Sequence, residues 1–357
     1  MDALYIHIPF CDKKCFYCDF WTFINMGHEI DRYTDYIIKE SRLYPVYYYD
    51  TVYFGGGTPG LIGADNFAKI LSALKVKENA EVTAEINPLN YSTEDFRNYI
   101  KSGVNRLSIG IQSFQDHVLK TAGRNHNGTQ ALETYRKARE AGFENITVDL
   151  MFGIPGQTLE DVYNDIKIIK EISPDHISVY SLIWEEGTLF WKQRENGLIE
   201  EADIDLEARM YETIIEELTK DGYIHYEISN FAKPGKKARH NTKYWENKEF
   251  IGLGVNSSSY YNDQRYKNLK NLYKYYKMID NKELPIDISS LENVDRAEKE
   301  KMKIILGLRL LDTGIPYFND SRVEKLFGNG LLKKENNRII LTKKGVMLAN
   351  EVFVEFI

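Results

Sequence analysis

Cysteine is nearly absent from this 357-residue chain: there are three, all between positions 11 and 18. A disulfide framework needs an even, dispersed set, so none is expected. Three clustered thiols in a reducing compartment point to metal instead. Also missing is any apolar run of about 18 residues, which leaves no candidate for a membrane span. No basic segment precedes the apolar pattern that begins at Ala3-Leu4-Tyr5, so no secretory leader is expected and the predicted compartment is the cytoplasm. Positive charge is in the minority, with 46 Lys and Arg against 53 Asp and Glu and a net charge of −7. That balance argues against a nucleic-acid binder working by broad phosphate neutralisation. There is no fixed-period repeat and no low-complexity tract. What remains is 43% hydrophobic and 28% charged, enough for one large domain with one or two small appendages.

Over the first half, short β-rich runs alternate with amphipathic helical stretches. The strand pattern falls at 4–9, 51–54, 81–86, 106–111, 146–152 and 176–182, and the helical pattern at 30–43, 67–74, 93–101, 130–141 and 159–172. Strands separated by crossover helices imply parallel β/α units. Runs such as Val148-Asp149-Leu150-Met151 are apolar nearly throughout, as a sheet covered on both faces requires. The unusual residues gather at strand ends: Cys11, Gly55-Gly56-Gly57, Glu85, Gln112 and Asp149. Ligand sites in β/α folds collect at the carboxyl ends of strands, so these residues are expected to share one pocket. After about residue 200 the rhythm changes. A helix at 203–221 precedes strand-like segments at 223–231 and 250–261, and the Lys/Asn/Tyr-rich passage 262–282 reads as a solvated helix with flanking loops. Helices at 296–311 and 321–327, a strand at 338–341 and a last helix at 343–354 resemble a small winged-helix-like module. The expected organisation is therefore an α/β core over 1–200, a linking α/β segment over 201–285 and a helical module over 286–357.

The three cysteines are spaced C-x3-C-x2-C on one loop, Cys11, Cys15 and Cys18. Three thiolates hold three irons of a [4Fe–4S] cubane and leave the fourth without a protein ligand. A small molecule with an amine and a carboxylate can chelate that iron. S-adenosylmethionine (SAM) carries both, beside a sulfonium that one electron can cleave. The alternative is zinc, which needs four ligands when structural and would have to recruit a histidine such as His7.

Preceded by Tyr5-Ile6-His7-Ile8-Pro9-Phe10, this cysteine motif resembles radical SAM proteins of the coproporphyrinogen oxidase group, and the resemblance runs over essentially the entire chain. It implies a partial (β/α)6 radical SAM barrel over roughly the first 190 residues, with an α+β extension behind it. Gly55-Gly56-Gly57-Thr58-Pro59 matches the element beside the SAM amino group, where glycine permits close backbone approach. Glu85 is an acid suited to an ammonium or to ribose hydroxyls, and Arg124 a fork suited to a carboxylate. The SAM contacts implied by the resemblance are Tyr5, Tyr17, Gly56, Gly57, Thr58, Glu85, Gln112, Arg124 and Asp149, with Ile183 near a further one.

Within that group two activities compete, an oxygen-independent coproporphyrinogen III oxidase and a haem chaperone that carries haem as cargo. The oxidase has another cysteine two residues beyond the third and a long segment before its cluster. Here that position is Phe20, and the first cysteine is already residue 11. His240-Asn241-Thr242-Lys243-Tyr244-Trp245 matches the HNxxYW element of the chaperone branch. An imidazole at His240 suits haem iron, while Tyr244 and Trp245 offer flat faces to a porphyrin. Lys233, Lys236, Lys237 and Arg239 are candidates for the haem propionates. The chain departs from the branch at Ser258, where relatives usually have a histidine. The chaperone reading implies a haem-receiving target protein, such as a membrane-bound respiratory protein, and a homodimer, with no nucleic-acid partner.

Overall fold

The computed structural model describes residues 2–357. Six parallel strands form the barrel wall: β1 (Ala3–Ile8), β2 (Tyr48–Gly56), β3 (Lys75–Ile86), β4 (Arg106–Gln112), β5 (Ile146–Phe152) and β6 (His176–Ser181), paired in sequential order. Their apolar residues are sealed on both faces: Ile6, Val52, Ala84, Ile109, Val148 and Ile177 are all fully buried. Helices cross over between successive strands, and their starts are written in side-chain chemistry. Ser92 with Asp95, Asn127 with Gln130, and Thr158 with Asp161 each form a capping box that satisfies backbone donors at a helix N-terminus. The partial (β/α)6 expectation is met.

The sheet extends further than expected. Ile251–Leu253 adds parallel to β1 at one edge, and the antiparallel pair Asn230–Ala232 and Ile224–Glu227 adds beyond β6 at the other, making nine strands. Segments within 201–285 thus complete both edges of the barrel sheet. The passage 262–282 also differs from a solvated helix. It holds a strand, Gln264–Lys267, hairpinned to Ser258–Tyr261, and a helix, Leu272–Asp280, that buries Leu272, Tyr275, Tyr276 and Ile279. Tyrosine is what disguised it. Tyr275 donates to Glu40 at 2.6 Å and Tyr276 packs on Tyr36 with ring centroids 4.0 Å apart, so a residue that looks amphiphilic in sequence is here core.

The C-terminal module has its own core, with Leu308, Val323, Leu326, Ile339, Val352 and Phe353 among its buried residues. Its sheet is a three-stranded antiparallel one, Ile315–Pro316, Arg338–Leu341 and Leu332–Glu335, of which only the middle strand was expected. The last helix breaks into Lys343–Met347 and Ala349–Val354. Arg309 docks the module on the barrel: its guanidinium lies 4.3 Å over the Trp245 ring and 3.6 Å from the buried Glu227 carboxylate.

Candidate functional site

The loop after β1 carries the thiols and is tied down from several directions. The Phe16 amide donates to Ala122 O and the Phe190 amide to Phe16 O, while Cys18 N closes a turn on Cys15 O at 3.3 Å. The Gly55-Gly56-Gly57 run at the end of β2 lies against this loop, with Gly57 N donating to Ile8 O and Thr58 N to Phe10 O, both at 2.8 Å. Glycine is required here for contacts within the chain. A Cβ on Gly57 would sit 2.6 Å from Phe10 O and 3.1 Å from Cys11 Sγ. A Cβ on Gly56, whose φ is +113°, would lie 2.5 Å from the His7 ring.

A cavity of about 410 Å³ opens at the carboxyl ends of the strands. Cys11, Cys15, Cys18, Tyr17, Gly56, Gly57, Glu85, Gln112, Arg124, Asp149 and Ile183 all line it; of these the strand-end argument had grouped Cys11, Gly56, Gly57, Glu85, Gln112 and Asp149. Arg124 reaches Cys15 Sγ with Nη1 at 3.3 Å and Asn87 Oδ1 with Nη2 at 2.7 Å, and its Nε is buried with no partner among the described residues. Glu85 accepts from Tyr53 Oη at 2.7 Å and from Gly56 N at 3.1 Å. Burial holds its carboxyl up at about 7, against which the Tyr53 hydroxyl acts. Asp149 accepts from Ser108 Oγ, and burial raises it to about 6. Gln112 closes β4 in the left-handed region at φ +69°, a conformation that side-chain residues adopt where a site imposes it.

Burial pushes the Cys18 thiol up to about 11 and raises Cys11 as well. Thiols so placed ionise when a metal takes the proton's place. Among the described residues no three His, Cys, Asp or Glu side chains converge on a single-ion site. His7, the histidine that would complete a zinc site, is occupied elsewhere: Nδ1 meets Tyr5 Oη at 3.0 Å and Nε2 faces Trp21 O at 3.2 Å. The donor set therefore fits a three-thiolate cluster with an unpaired guanidinium donor and two carboxyls arranged around an amino-acid-bearing ligand.

Two of the expected SAM residues lie outside this cavity. Thr58 is 2% exposed and sits behind Cys11, its Oγ1 3.5 Å from the sulfur and bonded to Asn87. Tyr5 stacks on Tyr53 of the first cavity and itself lines a second cavity of about 560 Å³. Tyr244 and Trp245 line that second cavity, with His7, Phe20, Trp21, Phe250, Ser258, Met302 and Leu306. Asp19 and Phe20 line both cavities, so the residues directly after Cys18 border the two.

His240 faces neither cavity. HNxxYW is a helix, Arg239–Trp245, and not a loop, which places His240 one turn before Tyr244. The imidazole is 1% exposed, bonded to Thr51 Oγ1 at 2.9 Å and to Tyr244 Oη at 2.7 Å, and stacked on Tyr53. Burial lowers it to about 3, so it is a neutral bracket between Tyr53 of the first cavity and Tyr244 of the second, with no nitrogen free for iron. The basic residues before it are also engaged. Lys233 donates to Ser173 O, Lys236 to Glu144 O, Lys237 pairs with Asp312 and Arg239 with Asp50. None of these four lines the second cavity. Sequence reasoning missed Tyr53, Trp21 and Met302, since only long-range packing brings them to the cavities.

Comparison with known proteins agrees with this geometry. The Radical SAM superfamily profile matches residues 5–169. "Heme chaperone HemW" of Lactococcus lactis is 37% identical over 373 residues, covering 100% of this chain and 97% of that protein. "Heme chaperone HemW" of Bacillus subtilis is 33% identical, covering 100% and 99%. The chain belongs to this family. Among solved structures, the coproporphyrinogen III oxidase HemN of Escherichia coli superposes with a TM-score of 0.85 over 99% of this chain and 90% of that one. At 23% identity that likeness establishes the radical SAM fold, including the C-terminal extension. No helix among the described residues is long and apolar enough to cross a membrane.

Proposed function

We propose that the chain is a haem chaperone that holds a [4Fe–4S] cluster on Cys11, Cys15 and Cys18, binds SAM in the first cavity and carries haem in the second, against Tyr244 and Trp245. The observation that carries this reading is that Tyr244 and Trp245 line a cavity that none of the three thiols lines, with Asp19 and Phe20 bordering both. Tyr244 and Trp245 of the HNxxYW helix line a space of about 560 Å³, a volume typical of small-molecule sites at ~300–1,000 Å³. In the first cavity Arg124 Nε and the open iron suit the SAM carboxylate and amine, and Glu85 and Asp149 suit its hydroxyls and positive charge. The cluster supplies one-electron chemistry toward the sulfonium when both are bound. In the second cavity Trp245 keeps one face covered by Arg309, and with Phe20, Met302 and Leu306 it offers an apolar slot for a flat ring. His240 fixes the Tyr244 hydroxyl at the edge of that slot. Haem then passes to a target protein such as a respiratory haem protein. A cytoplasmic location and a homodimer belong to the same reading.

Anaerobic reconstitution tests it. The protein should hold about four irons per chain, lost on replacing the three cysteines with serine. It should bind one haem per chain, with the affinity reduced by Trp245→Ala at unchanged iron content. It should not convert coproporphyrinogen III in the presence of SAM and a reductant. SAM-dependent decarboxylation would sink the chaperone reading and favour the oxidase.

A further inference from the structure

One wall of the second cavity is the hairpin Ser258–Tyr261/Gln264–Lys267. In its antiparallel register Ser258 lies opposite Lys267 and Tyr260 opposite Arg265. Side chains alternate across a strand, so these four share one face, and all four line the cavity. That face therefore presents two cations two positions apart. Lys267 has no ion-pair partner among the described residues, and Arg265 has one loose ion pair: its guanidinium is 3.6 Å from Glu298, too far for a hydrogen bond, and rests 5.3 Å over the Tyr260 ring. Lys248, the other lysine at the cavity, is already paired with Glu246 at 2.6 Å. The one carboxylate that lines the cavity, Asp19, belongs to the cluster-loop wall. Trp245 adds a buried indole N–H with no acceptor among the described residues. Cations and an orphaned donor around an aromatic slot call for a flat apolar ligand that ends in carboxylates.

We infer that Arg265 and Lys267 form a carboxylate clamp that selects porphyrins by their two propionate side chains. The inference rests on the haem reading of the second cavity and adds to it the residues that set orientation and specificity. Planar guanidinium and flexible ammonium complement each other here: Arg265 takes one carboxylate through two N–H groups, and Lys267, exposed at the mouth, takes the other as a point charge.

The test compares haem with its dimethyl ester, which has the same ring and iron but no carboxylate. Both are titrated into the reconstituted protein and into Arg265→Gln/Lys267→Gln, with iron and sulfide content as the check that the variant is folded. The wild type should bind haem at least about tenfold more tightly than the ester, as one strong charge-assisted bond implies. The double variant should bind both at the ester's affinity, and added salt should weaken only the wild-type haem complex. Equal binding of haem and ester by the wild type, or discrimination that survives in the double variant, would overturn the clamp and leave the cargo site standing. Absence of any saturable haem binding would overturn the cargo reading and the clamp together.

Discussion

Replacing His240 with alanine separates two roles that sequence and structure assign to it. If the imidazole is a bracket, its removal leaves the buried Thr51 hydroxyl and the Tyr244 hydroxyl without their partners at 2.9 and 2.7 Å. A buried polar group left unpaired costs about 1–3 kcal/mol, and Tyr244 belongs at the low end because its hydroxyl can turn to cavity water. The vacated ring beneath Tyr53 adds roughly 1–2 kcal/mol of lost packing. The sum, about 3–6 kcal/mol, is a large part of the ~5–15 kcal/mol that holds a domain folded. Urea unfolding of the metal-free variant should show that loss as a lowered midpoint at unchanged slope. Haem bound to the variant should keep the wild-type Soret position, since the ligand field at iron is untouched, with affinity reduced only as far as Tyr244 loosens. An unfolding midpoint equal to wild type together with a changed Soret band would refute the argument and make His240 an iron ligand.

Further outcomes follow from the same contacts. Gly57→Ala should lower iron retention at least severalfold, because its Cβ would press on Phe10 O and Cys11 Sγ at 2.6 and 3.1 Å; iron analysis after desalting checks this. SAM should bind more tightly as pH rises from 5 to 8, since Asp149 and Glu85 reach their charged forms only through about 6 and about 7 and the ligand is cationic; equilibrium dialysis across that range reads it. Glu40, buried beneath Tyr275 and Asn268, is raised by burial to about 7. A carboxyl whose folded pKa lies above its unfolded value stabilises the fold at low pH and loses that contribution as pH rises from about 4.5 to about 7. The fall is on the order of 3 to 4 kcal/mol, and Glu40→Gln should flatten it in urea titrations at stepped pH.

Much of the barrel was legible because its signals are local. A strand buried on both faces must be apolar throughout, a crossover helix must announce its start with a cap, and a three-thiol motif needs only eight consecutive residues. The first cavity was legible for the same reason, since each strand end brings its residue to a place set by topology. What escaped was set by packing between distant segments. Tyr5 shares its barrel face with Tyr53 of the first cavity, yet it lines the second cavity with Met302 and Leu306, which only long-range packing brings there. Thr58 and Gly57 proved to support the cluster loop, a role that no single-segment pattern distinguishes from ligand contact. Lys233 to Arg239 looked free because the partners that hold them, Ser173 O, Glu144 O, Asp312 and Asp50, lie between 60 and 189 positions away. Lys267 and Arg265, in a segment read as solvated helix, became visible only once the hairpin register placed them on one face.

The central claim is that cofactor and cargo occupy different cavities, with Asp19 and Phe20 bordering both. Haem titration of the reconstituted protein, with and without saturating SAM, tests it most directly. Two cavities predict one haem per chain in both cases, with SAM retained at saturation. An apparent haem dissociation constant that rises in proportion to SAM concentration would mean competition for a single site and would contradict the account.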